Sequence, residues 1–187
     1  SAIELMNSML PEKVGSLLSR TSLAEDLEKS PHTIESWLIL LENIYSCYRL
    51  SPFGSPKVKA IKKQQKLYLW DWSIIDPIGP RFENMVASHL LKYCHYLEDT
   101  EGHKMELRYL RDTQGHEIDF VVIKNKIPVF AVECKTGEKS LSPNIEYFKL
   151  RTKIPKFYQV HLGKKEFGHP TTGKLLPFWK FCKEVHL

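Results

Sequence analysis

"GHEIDFVVIKNKIPVFAVECKTG", Gly115 to Gly137, reads as two apolar strands joined by a short turn. Runs this rich in Val, Ile and Phe belong in a sheet core. An ionised side chain is costly there unless it is paired or binds a metal. Yet the stretch carries Asp119, Glu133 and Lys135. Strand alternation sends Glu133 and Lys135 to one face and Val132 and Cys134 to the other, and gives Glu117 and Asp119 a common face. A solvated edge with an ordinary ion pair is the bland reading of these charges, and a buried site is the sharp one.

The 187 residues suit one large domain or two small ones, and 42% hydrophobic content is ordinary for a globular chain. No stretch approaches the roughly 20 apolar residues that span a bilayer, and no signal-peptide pattern opens the sequence. Cys47, Cys94, Cys134 and Cys182 lie far apart without CxxC spacing, as thiols of a reducing cytoplasm would, and a cytoplasmic location is expected. The histidines form no HExxH-type ligand spacing, and His116 reads as a polar turn residue.

The net charge of +5 is unevenly spread. Residues 1–76 hold nine Lys or Arg and nine Asp or Glu, whereas residues 77–187 hold eighteen against thirteen. From Lys135 to Lys165 there are eight basic residues and only Glu138 and Glu146 as acids. A basic stretch beside carboxylates suits a polyanionic substrate, although a solvated face has the same composition.

Upstream, "LPEKVGSLLSR", "TSLAEDLEKS" and "PHTIESWLILLENIYS" read as three helices, the second capped by Ser22. "CYRLSP" and "KLYLWDW" follow as two strands around the Lys-rich loop "KVKAIKKQQK". Three short helices and a two-stranded wing predict a winged helix-turn-helix over residues 1–76. Its third helix, between His32 and Tyr45, carries Glu35 and Glu42 but no Lys or Arg, which makes it a poor DNA reader. The wing, with Lys57, Lys59, Lys62, Lys63 and Lys66, is the better candidate for phosphate contact, and packing against a partner domain is the alternative use of the module.

"DWSIIDPIGP" marks a boundary, so a second domain is expected over residues 77–187. A helix from Arg81 places Glu83 on the apolar stripe of Val86, Ala87, Leu90, Cys94 and Leu97. Strands are expected at "KMELRYLRD", "HEIDFVVI", "IPVFAVEC" and "KFYQVHLG", with helices at "SPNIEYFKLRTKI" and "LPFWKFCKEV". The fold class is therefore mixed α/β, with helices on the faces of a central sheet. "GHPTTGKL", Gly168 to Leu175, has the GxxxxGK spacing of a phosphate loop. Leu175 replaces the metal-binding hydroxyl and Pro177 interrupts the helix that should follow, so it reads as a plain loop with no nucleotide site.

Glu83, Asp119 and Glu133 are expected to converge beside Lys135 although they come from three elements. Converging acids raise one another's pKa and call for a divalent cation, and hard oxygen ligands favour Mg²⁺ or Mn²⁺. A lysine at the same mouth stabilises charge developing on a phosphate. The spacing D-x13-E-x-K suits phosphodiester hydrolysis by metal-activated water.

"EIDFVVIKNKIPVFAVECK" resembles the metal-binding core of the PD-(D/E)xK nuclease superfamily, the restriction-endonuclease-like fold. The resemblance implies Asp119 and Glu133 as metal ligands, Lys135 as the residue assisting the attacking water, and Glu83 as the helix acid that completes the site. Ile118 stands where the superfamily has Pro. More widely, "SLAEDLEKSPHTIESWLILLENIYSCYRLSP", "KLYLWDWSII", "RFENMVASHLL", "LRYLRDTQGHEIDFVV" and "VECKTG" together resemble the C-terminal half of a family of prokaryotic AAA-type ATPases. That resemblance implies an ATPase domain outside this sequence, followed by a winged helix and a nuclease-like domain. The expected activity is Mg²⁺-dependent cleavage or metal-assisted binding of DNA, with Lys139 joining the wing lysines as nucleic-acid contacts. The rival expectation is a non-catalytic module that docks nucleic acid or protein for the ATPase domain. A third keeps Glu133 and Lys135 as a structural ion pair.

Overall fold

The computed structural model describes residues 1–54 and 64–187. The N-terminal segment holds α1 (Ala2–Met9), α2 (Arg20–Asp26) and α3 (Pro31–Asn43), then the antiparallel pair β1 (Cys47–Leu50) and β2 (Lys66–Leu69). Three helices precede a strand pair, but the first lies at Ala2–Met9, ahead of the stretch expected to be helical. Lys57, Lys59, Lys62 and Lys63 lie outside the described residues.

The helix expected over Leu10–Arg20 is instead a 3-10 turn, Leu10–Lys13, followed by extended chain. Tertiary pairing explains the difference. Gly15 donates to Leu67 O (3.1 Å) and Leu18 to Gln65 O (2.8 Å), so this stretch lies along β2 and cannot coil. The cap of α2 is Ser19, whose hydroxyl accepts from Ser22 N at 3.1 Å, which moves the expected cap three residues upstream. Ser30 caps α3 in the same way.

α4 (Ile78–Glu101) starts a turn earlier than expected, because Pro80 is tolerated within a first turn, and it ends at Gly102 in the left-handed conformation. The strands β3 (Met105–Arg111), β4 (Glu117–Lys124), β5 (Ile127–Cys134), β6 (Phe157–His161), β7 (Phe167–His169) and β8 (Gly173–Pro177) form one mixed sheet of order β3-β4-β5-β6-β8-β7. β5, β6 and β8 run parallel, and the outer pairs are antiparallel. α5 (Pro143–Lys149) covers one face, with Ile145 and Phe148 packed on Val121 and Ala131. α4 and α6 (Phe178–Val185) cover the other, against Phe120, Phe130, Val132 and Val160.

"GHPTTGKL" is a β-hairpin and not the expected plain loop. Gly168 and Gly173, at φ +84° and +113°, let the chain reverse, and the buried Leu175 and Leu176 carry β8 into the sheet. Lys174 is tied to Glu184 (2.7 Å) and Glu166 (3.1 Å), so it does not serve as a phosphate-loop lysine. His116 is more than a turn residue. Its ring stacks on Tyr147 at 3.8 Å, and Asp112, which holds the turn, accepts from both side chains.

The two segments share one core that runs from Met6 and Leu38 through Tyr68 to Phe82 and Phe181. Asn84, fully buried on α4, accepts from Leu69 N (2.8 Å) and donates to Leu69 O (2.7 Å), which fastens the first turns of α4 to β2. That register brings Glu83 against β2.

Candidate functional site

One irregularity in β4 decides where Asp119 points. Arg108 pairs with Val121 and Leu110 with Ile118, so Asp119 and Phe120 together oppose the single residue Tyr109. Such a bulge breaks strict alternation and re-aims a side chain. Its effect shows in the packing: Ile118 and Val121 both join the α5-side cluster, while Phe120 and Val122 join the α4-side cluster. Asp119 is half-buried at this bulge, and its Oδ2 accepts from Cys134 N on β5 at 2.7 Å.

Around Asp119 the acids form two overlapping groups. On the β2 and α4 side, Lys66 bonds Glu117 and lies 3.5 Å from Glu83, whose Oε1 accepts from the Tyr68 hydroxyl at 2.8 Å. Arg111 holds the other oxygen of Glu117 at 2.7 Å. On β5, Lys135 donates to Glu133 Oε1 at 2.7 Å. Val132 is buried in the α4-side cluster and Cys134 packs on it, so alternation turns Glu133 toward Gln159 of β6 and Ser142, the residue that begins α5. Glu133 is 3% exposed, and its Oε2 has no hydrogen-bond partner among the described residues.

Burial raises all three candidate acids, and mutual repulsion adds to it. Glu83 is pushed up to about 7 by desolvation and then by Asp119, against the pull of Lys66 and Tyr68. Glu133 is likewise pushed up to about 7, first by burial and then by Asp119, with Lys135 and the Ser142 hydroxyl opposing. Asp119 is raised by burial despite Lys66 and its backbone donor. Lys66 moves the other way from what burial dictates, because Glu83, Asp119 and Glu117 all favour its charge. One ammonium gains from three carboxylates, while each of them receives only a share of it.

The expected convergence is thus partial. Asp119 interacts electrostatically with both groups, and Glu83 and Lys135 line a common cleft of about 240 Å³ with Phe82, Cys134 and Lys139. Among the described residues, no three Asp, Glu, His or Cys side chains lie close enough together to hold a metal ion. The donor chemistry nevertheless suits a hard divalent cation: every candidate ligand is an oxygen, one is buried and unpartnered, and two carboxyls are pushed up by burial and by the neighbouring Asp119. Mg²⁺ commonly takes one or two carboxylates and fills its shell with water and substrate phosphate.

Lys66 corrects the sequence reading. Grouped there with the wing lysines as a phosphate contact, it is 1% exposed and belongs to the acid cluster. The available signal was its place in "KLYL": it opens an apolar strand and shares a face with Tyr68. Lys139 is exposed and lines the cleft. A larger groove of about 840 Å³ lies between α4 and α6, lined by side chains including His89, Tyr93, Tyr96 and Cys182, and contains none of the expected site residues. All four cysteines are free thiols. No helix among the described residues is long and apolar enough to cross a membrane.

No curated protein and no solved structure matches the chain. Residues 1–77 match DUF8612, a domain of unknown function. Residues 78–181, which carry the sheet and all the expected acids, match DUF4143, a domain of unknown function found in the C-terminal region of AAA-ATPase-associated proteins, and the chain belongs to that family.

Proposed function

We propose that this chain is the nuclease-like portion of an AAA-ATPase-associated protein, with a PD-(D/E)xK-type site for phosphodiester cleavage or metal-assisted binding of DNA. One observation supports the reading: among the described residues four buried or half-buried carboxylates share three cations, and Glu83 and Lys135 of this cluster line a cleft with the exposed Lys139. Acids perturbed by burial together with a charged neighbour mark a candidate functional site.

Asp119 and Glu133 are the residues that would hold Mg²⁺ or Mn²⁺, with Glu83 nearby to adjust the charge. Bound there, the ion supplies charge neutralisation at a phosphate and acidifies a water. Lys135 is held in place by Glu133 and reaches the cleft, so its ammonium is positioned to stabilise charge developing on a phosphate oxygen. Lys139 attracts the nucleic-acid backbone at the mouth.

The test is a Mn²⁺ titration followed by cleavage of duplex DNA in Mg²⁺. Asp119→Asn should weaken Mn²⁺ binding about tenfold or more, because a charged oxygen ligand is lost. Lys135→Ala should spare Mn²⁺ and lower cleavage by roughly a hundredfold. The titration is read first, since it needs no delivery of DNA by the ATPase domain. Equal Mn²⁺ binding by wild type and Asp119→Asn would remove the nuclease reading.

A second reading, docking of a protein partner, rests on α3. Ile39, Leu40 and Ile44 are exposed on this helix and its C-terminal end, the last at 63%, while Glu35 and Glu42 are already paired with Arg49. This face suits protein better than phosphate. Leu40→Glu should weaken association with the ATPase domain and leave Mn²⁺ binding unchanged; unchanged association would discard the docking face.

A further inference from the structure

Glu138 lies on the loop between β5 and α5, beside Lys139 and close after Thr136, two residues that line the cleft. Its Oε1 accepts from two successive backbone N–H groups on the loop after β6: Lys164 N, and Lys165 N at 2.9 Å. Those donors hold the Glu138 carboxyl below its ordinary value although the residue is exposed. Successive backbone donors aimed at one oxygen are the geometry of a backbone anion site.

The bend that aims them is built from beneath, without Glu138. His161, fully buried at the end of β6, accepts from Gly163 N through Nδ1 at 2.9 Å and donates to Lys165 O through Nε2 at 2.9 Å. Gly163 leaves the space that the acid enters, because a Cβ there would overlap Glu138 Cγ and Oε1. Glu166, the next acid along the loop, is paired with Lys174 and Lys180.

We propose that the N–H groups of Lys164 and Lys165 form a phosphate site beside the cleft, and that Glu138 occupies it as an internal stand-in which a phosphate displaces. A phosphate offers the same oxygen acceptors with more negative charge, and the exposed Lys164 and Lys165 side chains belong to the two residues that own the donors. Glu138 competes for the donors, so it lowers the apparent affinity of the site by the fraction of molecules in which it is seated. The site is separate from the carboxylates around Asp119. The nuclease-like reading supplies only the expected source of the phosphate, a nucleic-acid backbone at the cleft. If Glu138 were merely a tie between two loops, removing it would loosen them and create no anion affinity.

The experiment titrates the full chain with inorganic phosphate and follows the Lys164 and Lys165 amides by ¹⁵N–¹H NMR; duplex DNA in EDTA is a second probe, read by fluorescence anisotropy. Glu138→Ala should bind phosphate at least about fivefold more tightly than wild type, with the shifts centred on those two amides. Gly163 is outside the left-handed region, so Gly163→Ala is tolerated by the backbone and its methyl fills the anion position. Glu138→Ala/Gly163→Ala should therefore lose the gain. A gain that survives Gly163→Ala would be a general effect of net charge and would overturn the site, as would equal phosphate affinity in wild type and Glu138→Ala. A parallel gain for DNA would identify the phosphate as a backbone one, and a gain for inorganic phosphate alone would assign the site to a free phosphate. Both results are independent of Mn²⁺ binding, so failure of the nuclease-like reading would leave them intact.

Discussion

Two ion clusters in this molecule use the same side-chain chemistry to opposite effect. In the N-terminal segment, Arg49 makes bidentate contacts to Glu42 at 2.8 Å and reaches Glu35 at 2.9 Å, and Arg20 adds a second cation for Glu35. Burial would raise the Glu35 carboxyl, but the two arginines outweigh it and hold it below its ordinary value. Around Asp119, among the described residues, four carboxylates (Glu83, Glu117, Asp119, Glu133) share three cations (Lys66, Arg111, Lys135), and Glu83, Asp119 and Glu133 are pushed up. The first cluster is complete in itself. The second has fewer cations than carboxylates among the described residues, and burial and repulsion together outweigh the lysines at Glu83, Asp119 and Glu133.

The largest expected effect breaks the comparison at its cations. Lys66→Met leaves Glu83 without its cation beside Asp119 and should cost about 3–5 kcal/mol near pH 8, whereas Arg49→Met should cost about 1–2 kcal/mol, because Glu35 keeps Arg20 as a second cation. Urea unfolding of both variants checks the order. Similar losses would mean that the clusters do not differ in kind.

The next effect is on pH. Glu83 and Glu133 titrate higher in the folded chain than their ordinary 4.5, so the folded state binds more protons between about pH 4.5 and 7. Their contribution to stability is present below that window and lost as pH rises through it. Glu35 has the opposite sign, its contribution being present above its ordinary value and lost as pH falls. Glu133→Gln should therefore flatten the decline of stability from pH 5 to pH 8, by something on the order of 1–3 kcal/mol. A steeper decline in the variant would contradict the assignment.

The smallest effect concerns the rim. Lys139→Ala should leave stability within about 0.5 kcal/mol and lower the salt dependence of DNA binding by roughly one phosphate contact. Unchanged salt dependence would remove Lys139 from the binding surface.

Most of the sheet and its helices were legible in the sequence, because the period-two runs of β4 and β5 and the stripe of α4 are strong local signals. The placement of Glu83 followed from that stripe. What sequence could not carry was non-local. Pairing of Gly15 and Leu18 with β2 overrode a helical pattern, and the β7–β8 hairpin depended on two glycines closing a turn inside an apparent loop. At the site, strict alternation holds only for a regular strand, and β4 is not regular. The bulge at Asp119 and Phe120 changes which groups Asp119 meets, and the packing of β2 brings Lys66 into the acid cluster instead of the wing.

The central claim is that the surplus of buried carboxylates around Asp119 is a cation site. Anomalous diffraction from crystals soaked in Mn²⁺ tests it most directly. The account predicts a peak bounded by Asp119 and Glu133, absent in Asp119→Asn crystals treated identically. A map with no anomalous peak among these acids, from crystals that show Mn²⁺ elsewhere on the same molecule, would contradict it.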